Sequence, residues 1–179
     1  MTTTIPAPAL PGTREWRLGL PAWIHDSHGA ELLMRFVGPA DASAIRALHS
    51  RCSVQALRWR YFGGGDQVEH LLSWIFDASR SEAVSVWTHG QMVALGNLLL
   101  PDATGVGEVA FLVEDAWQGR GIGSALVDVV TDRGRDWDAR SLHADVSLDN
   151  GRMRVLLARR GWIGKVVDGD YCMDLPSRW

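Results

Sequence analysis

Apolar and polar residues alternate along several short segments of the chain, a pattern typical of half-buried strands. The segment "LPAWIHDSHGAELLMRFV" predicts two strands around a turn at Asp26–Gly29. The segment "AVSVWTHGQMVALGNLLL" predicts a hairpin with His89 and Gly90 at its turn. Further strands are predicted for the segments "GEVAFLV", "SLHADVSL", "WIGKVV" and "YCMDL".

Other segments repeat apolar residues every three or four positions, which is typical of amphipathic helices. Asp41 is expected to cap the helix "ASAIRALHSRC", and Ser53 is expected to cap the helix "VQALRWRYF". Three more helices are predicted for "QVEHLLSWIFDAS", "GSALVDVVTDRGRDW" and "NGRMRVLLARR". This order of strands and helices predicts an α/β (α+β) fold built on a mixed sheet.

Composition narrows the classes of protein and partner. The chain has 179 residues, a hydrophobic fraction of 46% and a net charge of -3. This charge argues against a nucleic-acid partner, and no apolar run is long enough to predict a membrane partner. Two cysteines without a CxxC spacing fit a reducing cytoplasm. We expect residues 1–22 to be a poorly ordered lead-in and residues 23–179 to form a single domain.

The segment "WQGRGIGSALVD" at 117–128 places three glycines directly before a predicted helix. The first amides of a helix have no intrahelical acceptor, and glycines let a ligand approach them closely. Such a loop is typical of a phosphate site. Its spacing does not fit a dinucleotide fingerprint, and it lacks the lysine of a P-loop. A glycine-rich connection that binds nothing is the remaining alternative.

The segment "VAFLVEDAWQGRGIGSALV" resembles motif A, Q/R-x-x-G-x-G/A, of the GNAT superfamily of N-acetyltransferases. The segment "DNGRMRVLLARRGW" looks like a second family segment, which Asn150 opens and Gly161-Trp162 closes. The upstream stretch "HGAELLMRFVGPADASAIRALHSRCSVQALRWRYFG" resembles the start of GNAT domains in bacterial protein lysine acetyltransferases. The resemblance implies a mostly antiparallel twisted sheet with helices on both faces and a splayed pair of parallel strands.

The resemblance also implies acetyl-CoA as co-substrate and an amine acceptor, either a protein lysine or a small molecule. Backbone amides of the glycine loop would hold the pyrophosphate, and the preceding strand would pair with the pantetheine amides. Arg120 would either add a charge at the pyrophosphate or extend its side chain into solvent. Asn150 would bind the cofactor arm or a bridging water, cap its helix, or do both. The implied cofactor-binding residues are Phe111, Leu112, Val113, Gln118, Gly119, Arg120, Gly121, Ile122, Gly123, Ser124 and Asn150.

Acetyl transfer to an amine needs a base, because a lysine-like amine is protonated at neutral pH. Glu108 matches the catalytic glutamate of the resembling acetyltransferases, and its alternative role is an exposed carboxylate at a strand end. Glu114 and Asp115 are poorer candidates that we expect to be solvated. The backbone N–H of Val113 is the expected oxyanion donor.

Many GNAT enzymes carry a tyrosine acid at the position of Leu157, so the sequence predicts no dedicated acid. This difference keeps open a non-catalytic acyl-CoA-binding module as the alternative function. His49 and His143 show no ligand spacing and no carboxylate partner in the sequence, so we predict no metal. A homodimer stays open.

Overall fold

The computed structural model describes residues 19–62, 67–99, 104–167 and 170–176. These residues form eight strands and five α-helices. The strands are β1 (Ala22–His25), β2 (Glu31–Phe36), β3 (Ser81–Thr88), β4 (Gln91–Leu99), β5 (Val106–Val113), β6 (Ser141–Val146), β7 (Ile163–Val167) and β8 (Asp170–Pro176). The helices are α1 (Ala42–Arg51), α2 (Val54–Tyr61), α3 (Gln67–Ile75), α4 (Ile122–Asp136) and α5 (Gly151–Ala158).

All eight described strands join in one sheet of order β1-β2-β3-β4-β5-β6-β8-β7. Every neighbouring pair is antiparallel except β5 and β6, which run parallel. The two predicted hairpins, β1–β2 and β3–β4, are confirmed, and His89 and Gly90 adopt the positive φ values of a tight turn. The predicted mixed fold with one splayed parallel pair is therefore confirmed.

Helices cover both faces of the sheet because each presents an apolar stripe to it. On one face, Ile45 and Leu48 of α1 are fully buried in a cluster that also holds Leu112 of β5. On the other face, α4 buries Ile122, Ala125, Leu126, Val129 and Val130, the positions expected from the helical spacing. One face of β5 therefore packs against α1–α3, and the other face packs against α4.

The caps of the first two helices differ from each other. Ser53 caps α2 as predicted, accepting a hydrogen bond from the amide of Ala56. Asp41 precedes α1, but its side chain makes no capping hydrogen bond to that helix. Its carboxylate instead binds the Arg35 guanidinium and the amide of Gly38. The expected cap is thus replaced by an ion pair, because a guanidinium forms a stronger charge-assisted bond than a backbone amide.

Some expectations concern residues outside the described part of the chain. The proposed lead-in, 1–22, falls mostly there, since the structure describes it only from residue 19. The three glycines at 63–65, which follow the second helix in the sequence, also lie outside the described residues.

Candidate functional site

A cleft with a volume of about 710 Å³ opens where β5 and β6 separate. Their parallel pairing runs from Val106–Ser141 only as far as Glu108–His143, although both strands continue beyond it. The cleft is lined by the end of β5, the glycine loop, the end of β6, one side of α5 and part of α2. Parallel strands that part in this way leave backbone polar groups available to a ligand.

The alternation of the antiparallel ladder decides which amides of β5 face this opening. Glu114 N–H donates to Val93 O at 3.0 Å, across the ladder from β5 to β4. Successive residues of an antiparallel strand direct their N–H groups to opposite sides. The N–H groups of Phe111 and Val113 therefore point away from β4, toward the cleft. The amide of Leu112, which lies between these two residues, faces β4. Its side chain is buried on the face of the sheet that packs against α1–α3.

Gln118 is bound to the end of the same strand. Its Nε2 donates a hydrogen bond to Val113 O at 3.1 Å, and both residues line the cleft. The side chain thus connects the glycine loop to β5. This bond occupies the carbonyl of Val113 and leaves the Val113 N–H available.

The glycine loop ends in the N-terminus of the 15-residue helix α4. Gly121 is the N-cap residue at φ 88, a left-handed conformation in which a side chain is unfavourable. The first helical bond runs from Ala125 N–H to Gly121 O, so the amides of Ile122, Gly123 and Ser124 have no intrahelical acceptor. Three amides and a helix dipole at one end of the cleft make an anion site.

Arg120 does not extend its side chain toward that anion site. Its Nη2 lies 2.5 Å from Oδ2 of Asp26, and its guanidinium stacks over the Trp117 ring at 4.2 Å. The expectation that its charge faces the phosphate is therefore corrected, because the buried Asp26 carboxylate takes that charge. The side chain of Ile122 is likewise buried in the core, so only its backbone remains for a ligand.

Other arginines replace Arg120 as cations near the cleft. Arg152 and Arg159 of the α5 region are exposed and line it. Arg160 donates to the carbonyl and hydroxyl of Ser124 and to the Asp128 carboxylate, which connects the two helices. None of these three arginines was predicted from the sequence to lie at the cleft. The spacing of seven residues between Arg152 and Arg159 was the available signal, since it places both on one helix face.

Glu108 is exposed at the start of β5, where it faces Leu99 on β4 and His143 on β6 in the register. Its face of β5 is the one toward α1–α3, as Leu112 shows. Arg60 of α2 lies on this side and donates to Asn97 Oδ1 at 2.7 Å. Burial lowers the pKa of the Arg60 guanidinium, and the Glu108 carboxylate opposes that decrease. Glu108 and the half-buried Arg60 thus lie on the same side of the sheet.

Glu114 is not the solvated carboxylate that we expected, whereas Asp115 is exposed as expected but also binds a neighbouring helix cap. Glu114 binds Arg51 at 3.0 Å, and only 13% of its side chain is exposed. Asp115 accepts hydrogen bonds at 2.7 Å from both the amide and the hydroxyl of Ser53. Burial alone would raise the pKa of Asp115, but the bonds from Ser53 hold it below its ordinary value. Both carboxylates therefore anchor the loop to α1 and α2.

Asn150 is the N-cap residue of α5, and its Oδ1 accepts a hydrogen bond from the amide of Met153 at 3.2 Å. This hydrogen bond confirms the predicted capping role. Asn150 also lines the cleft. Next to it, Asp149 accepts a hydrogen bond from the indole N–H of Trp59 at 2.9 Å. This bond joins α2 to the loop after β6 and bridges the opening between the two parting strands.

The structure places no tyrosine hydroxyl at the position where many GNAT enzymes carry their acid, which here is the fully buried Leu157. The hydroxyl of Tyr61 lies 2.5 Å from Nε2 of His49, and the ring of Tyr171 stacks under Arg154 at 4.4 Å. His49 is buried and also bonds to Ile45 O. It is a structural histidine, as the sequence indicated.

His143 has two carboxylate partners, although the sequence predicted none. Its Nδ1 lies 2.7 Å from Asp174, and its Nε2 lies 3.1 Å from Asp145. Burial alone would lower the pKa of His143, but the two carboxylates raise it above its ordinary value. Sequence reasoning missed Asp174 because it lies on another strand, 31 residues away. It also missed Asp145, although a spacing of two residues places Asp145 and His143 on the same face of β6.

Comparison with known proteins gives consistent matches. The model of the acetyltransferase (GNAT) family matches residues 51–162. The chain is similar to the GNAT domain of S. lividans PAT, with a TM-score of 0.79 and 23% identity over 87% of this chain and 96% of that one. It is also similar to yncA from Salmonella typhimurium, solved with its cofactor acetyl-CoA, with a TM-score of 0.64 and 19% identity over 82% and 94% of the chains.

A further match is a variant of a cAMP-binding acyltransferase from Mycobacterium smegmatis, with a TM-score of 0.61 and 22% identity. This match covers 88% of the present chain but only 47% of that protein. At these identities the solved structures support the fold alone. Among the described residues, the helices are too short or too polar to cross a membrane.

Proposed function

Because the chain belongs to the acetyltransferase (GNAT) family, we propose that it transfers the acetyl group of acetyl-CoA to a primary amine of a protein lysine or a small molecule. The observation that carries this proposal is the single cleft that joins the amides of the α4 N-terminus to the opened edge of β5. A pyrophosphate followed by an amide-containing arm requires an anion site that continues into an extended backbone edge, and the cleft offers both in that order.

In this proposal, residues of the loop and of α5 bind the phosphates. The amides of Gly119 to Ser124 face the pyrophosphate, while Arg152 and Arg159 supply the positive charge that Arg120 does not. Gln118 holds the loop against β5 through Val113 O. Phe111 and Val113 offer backbone groups to the pantetheine arm, and Asn150 lies beside it.

The acceptor then approaches from the α1–α3 face, where Glu108 lies. Glu108 takes a proton from the ammonium form of the acceptor, directly or through a water, so that a neutral amine attacks the thioester carbonyl. The N–H of Val113 stabilises the oxyanion of the tetrahedral intermediate. Collapse of the intermediate breaks the C–S bond and releases CoA as a thiolate, a tolerable leaving group near neutral pH. Solvent or the amine proton then neutralises it.

The buried Leu157 favours a second candidate, a non-catalytic acyl-CoA-binding module. Steady-state release of CoA thiol with a panel of peptide and small-molecule amines separates the two. Amine-dependent release supports the enzyme. Tight CoA binding by calorimetry without amine-dependent release supports the binding module, and NAD binding without CoA binding contradicts both.

The remaining features of the proposal concern organisation. We assign residues 23–179 to one acetyltransferase domain, because all described strands from β1 to β8 belong to one sheet. The cytoplasm fits the two cysteines, Cys52 and Cys172, which are both free thiols.

A further inference from the structure

Beside the cleft, β6 and β8 bring four titratable side chains, one histidine, one cysteine and two aspartates, together on one face of the sheet. The antiparallel register places His143 opposite Asp174, and Asp145 opposite Cys172. The alternate residues of β6, Leu142, Ala144 and Val146, are buried in the core against α4. His143 and Asp145 therefore face the other way, and 26% and 45% of their side chains are exposed.

Three donor atoms of this cluster lie close enough together to bind one metal ion. His143 Nε2 lies 3.1 Å and Cys172 Sγ lies 3.3 Å from the same oxygen, Oδ1 of Asp145. These three donor atoms all lie within 4.8 Å of one another. A tetrahedral Zn²⁺ ion with ordinary Zn–N, Zn–O and Zn–S bonds separates its ligand atoms by roughly 3.3 to 3.6 Å. The two distances to Asp145 Oδ1 need only a few tenths of an ångström of adjustment, and side-chain rotation of Cys172 or His143 can bring Sγ and Nε2 to the same spacing.

The orientation of the imidazole matches that of a metal ligand. Nδ1 of His143 lies 2.7 Å from Oδ1 of Asp174. Since a carboxylate can only accept, this contact fixes a proton on Nδ1, so Nε2, which shares a proton with Asp145 in the metal-free protein, is the nitrogen that a metal would take. Metal-binding histidines usually have such a carboxylate on their other nitrogen. The second oxygen of Asp174 lies 3.6 Å from Nζ of Lys165, which leaves the carboxylate anchored on both sides.

We propose that His143 Nε2, Asp145 Oδ1 and Cys172 Sγ form a Zn²⁺ site, with a water in the fourth position. A thiolate, a carboxylate and a neutral imidazole exactly balance the charge of one divalent ion. A thiolate selects a borderline metal over Mg²⁺ or Ca²⁺, which prefer oxygen ligands. On binding, the zinc replaces the thiol proton of Cys172 and the proton between His143 and Asp145, and both protons pass to solvent.

The test measures metal binding directly and does not depend on acetyl transfer. The chain, without an affinity tag, is stripped with a chelator and titrated with Co²⁺ and with Zn²⁺ against a chromophoric indicator. We expect one equivalent to bind and the Co²⁺ form to show a thiolate-to-cobalt charge-transfer band. Cys172→Ser should abolish that band and weaken Zn²⁺ binding at least tenfold, and Asp174→Asn should weaken it roughly 10- to 100-fold.

The other cysteine provides a matched control. Cys52 is buried, and burial together with Asp115 and Glu114 raises the pKa of its thiol to about 12. Cys52→Ser should leave the band and the affinity unchanged. Alkylation followed by mass spectrometry should show that Zn²⁺ protects Cys172 in the wild type. Substoichiometric binding, or a band that survives in Cys172→Ser, would overturn the site and show that the cluster is only hydrogen-bonded.

Discussion

Arg120 of the glycine loop forms an ion pair with Asp26 of the β1–β2 turn, with Nη2 and Oδ2 2.5 Å apart. The Asp26 side chain is fully buried, and 19% of the Arg120 side chain is exposed. The backbone supports the same contact, since Ser27 N–H donates to Arg120 O at 3.0 Å. The first hairpin of the chain therefore holds the middle of the loop, and the flanking glycines are left to face the cleft.

The first prediction is that Asp26→Asn destabilises the fold by about 2 kcal/mol, because it leaves the Arg120 charge without its partner. This corresponds to a decrease in Tm of roughly 4 to 8 °C at pH 7. Thermal unfolding followed by circular dichroism measures it. The exposed pair Arg133–Asp136 offers the control, and Asp136→Asn should change the free energy of unfolding by less than about 0.5 kcal/mol.

The same variant has a predicted pH dependence. Burial alone would raise the pKa of Asp26, but hydrogen bonds from the amides of Ala30 and His28 and the Arg120 charge lower it. A carboxyl with a lowered folded pKa contributes stability above its unfolded pKa, about 3.9, and loses that contribution as the pH falls through the folded value. The difference between wild type and Asp26→Asn should therefore be full at pH 7 and shrink below about pH 4. A difference that grew with acidity would contradict the ionised pair.

A second prediction concerns the anion site. Gly121→Asp should abolish CoA binding, because it adds a negative charge where the pyrophosphate would lie and a side chain at φ 88. Calorimetry with CoA measures the loss. Gly90→Asp is the control for backbone strain, since Gly90 has φ +74 in the β3–β4 turn and a Cβ there meets nothing within 4 Å. It should keep wild-type affinity. Unchanged binding by Gly121→Asp would remove the α4 N-terminus from the proposal.

Local patterns predicted most of the elements, whereas side-chain partners depended on contacts between distant residues. The spacing of Ile122, Leu126 and Val129 indicated the buried face of α4 because helix periodicity is a local property. The partner of Arg120 lies 94 positions earlier in the chain, so no local pattern indicates it. Asp41 shows a different limit, since its residue type predicted a helix cap, but Arg35, only six positions earlier, competes for the same carboxylate.

The same difference between local patterns and long-range contacts applies to the candidate site. The strand–glycine–helix order predicted where the opened edge of β5 and the α4 N-terminus meet, because both lie in one continuous segment. The cluster around His143 was missed, since it exists only through the register of β6 with β8. Register is set by packing across the whole sheet and cannot be read from either strand alone.

A third prediction follows from the single lysine. Lys165 is 66% exposed, and the sequence has no other lysine. If the chain acetylates itself slowly, mass spectrometry after incubation with acetyl-CoA should find N-acetylation only at Lys165 and at the N-terminal amine. In the Lys165→Arg variant, the N-terminal amine should then be the only acetylated site. An acetylated amine at a third position would show that the assignment of reactive amines is wrong.

The last prediction concerns Glu108 as the base. Glu108→Gln keeps the size of the side chain and most of its hydrogen bonding but cannot take a proton. The loss should fall on kcat, by roughly two to four orders of magnitude, with CoA affinity little changed. The defect should shrink as the pH rises toward the pKa of the acceptor amine, because free amine then forms without help. Steady-state thiol release across a pH series measures both effects.

The nearby carboxylate Glu114 makes the comparison specific. Glu114 lies six positions later in the chain, and its carboxylate binds Arg51. Glu114→Gln should therefore loosen the glycine loop and raise KM, and it should leave the pH profile unchanged. A Glu108→Gln variant with wild-type turnover at neutral pH would leave Glu108 as an exposed strand-end carboxylate. The proton would then pass to a water held by backbone groups at the opening between β5 and β6, because those groups lie on the same side as the attacked carbonyl in the proposed complex.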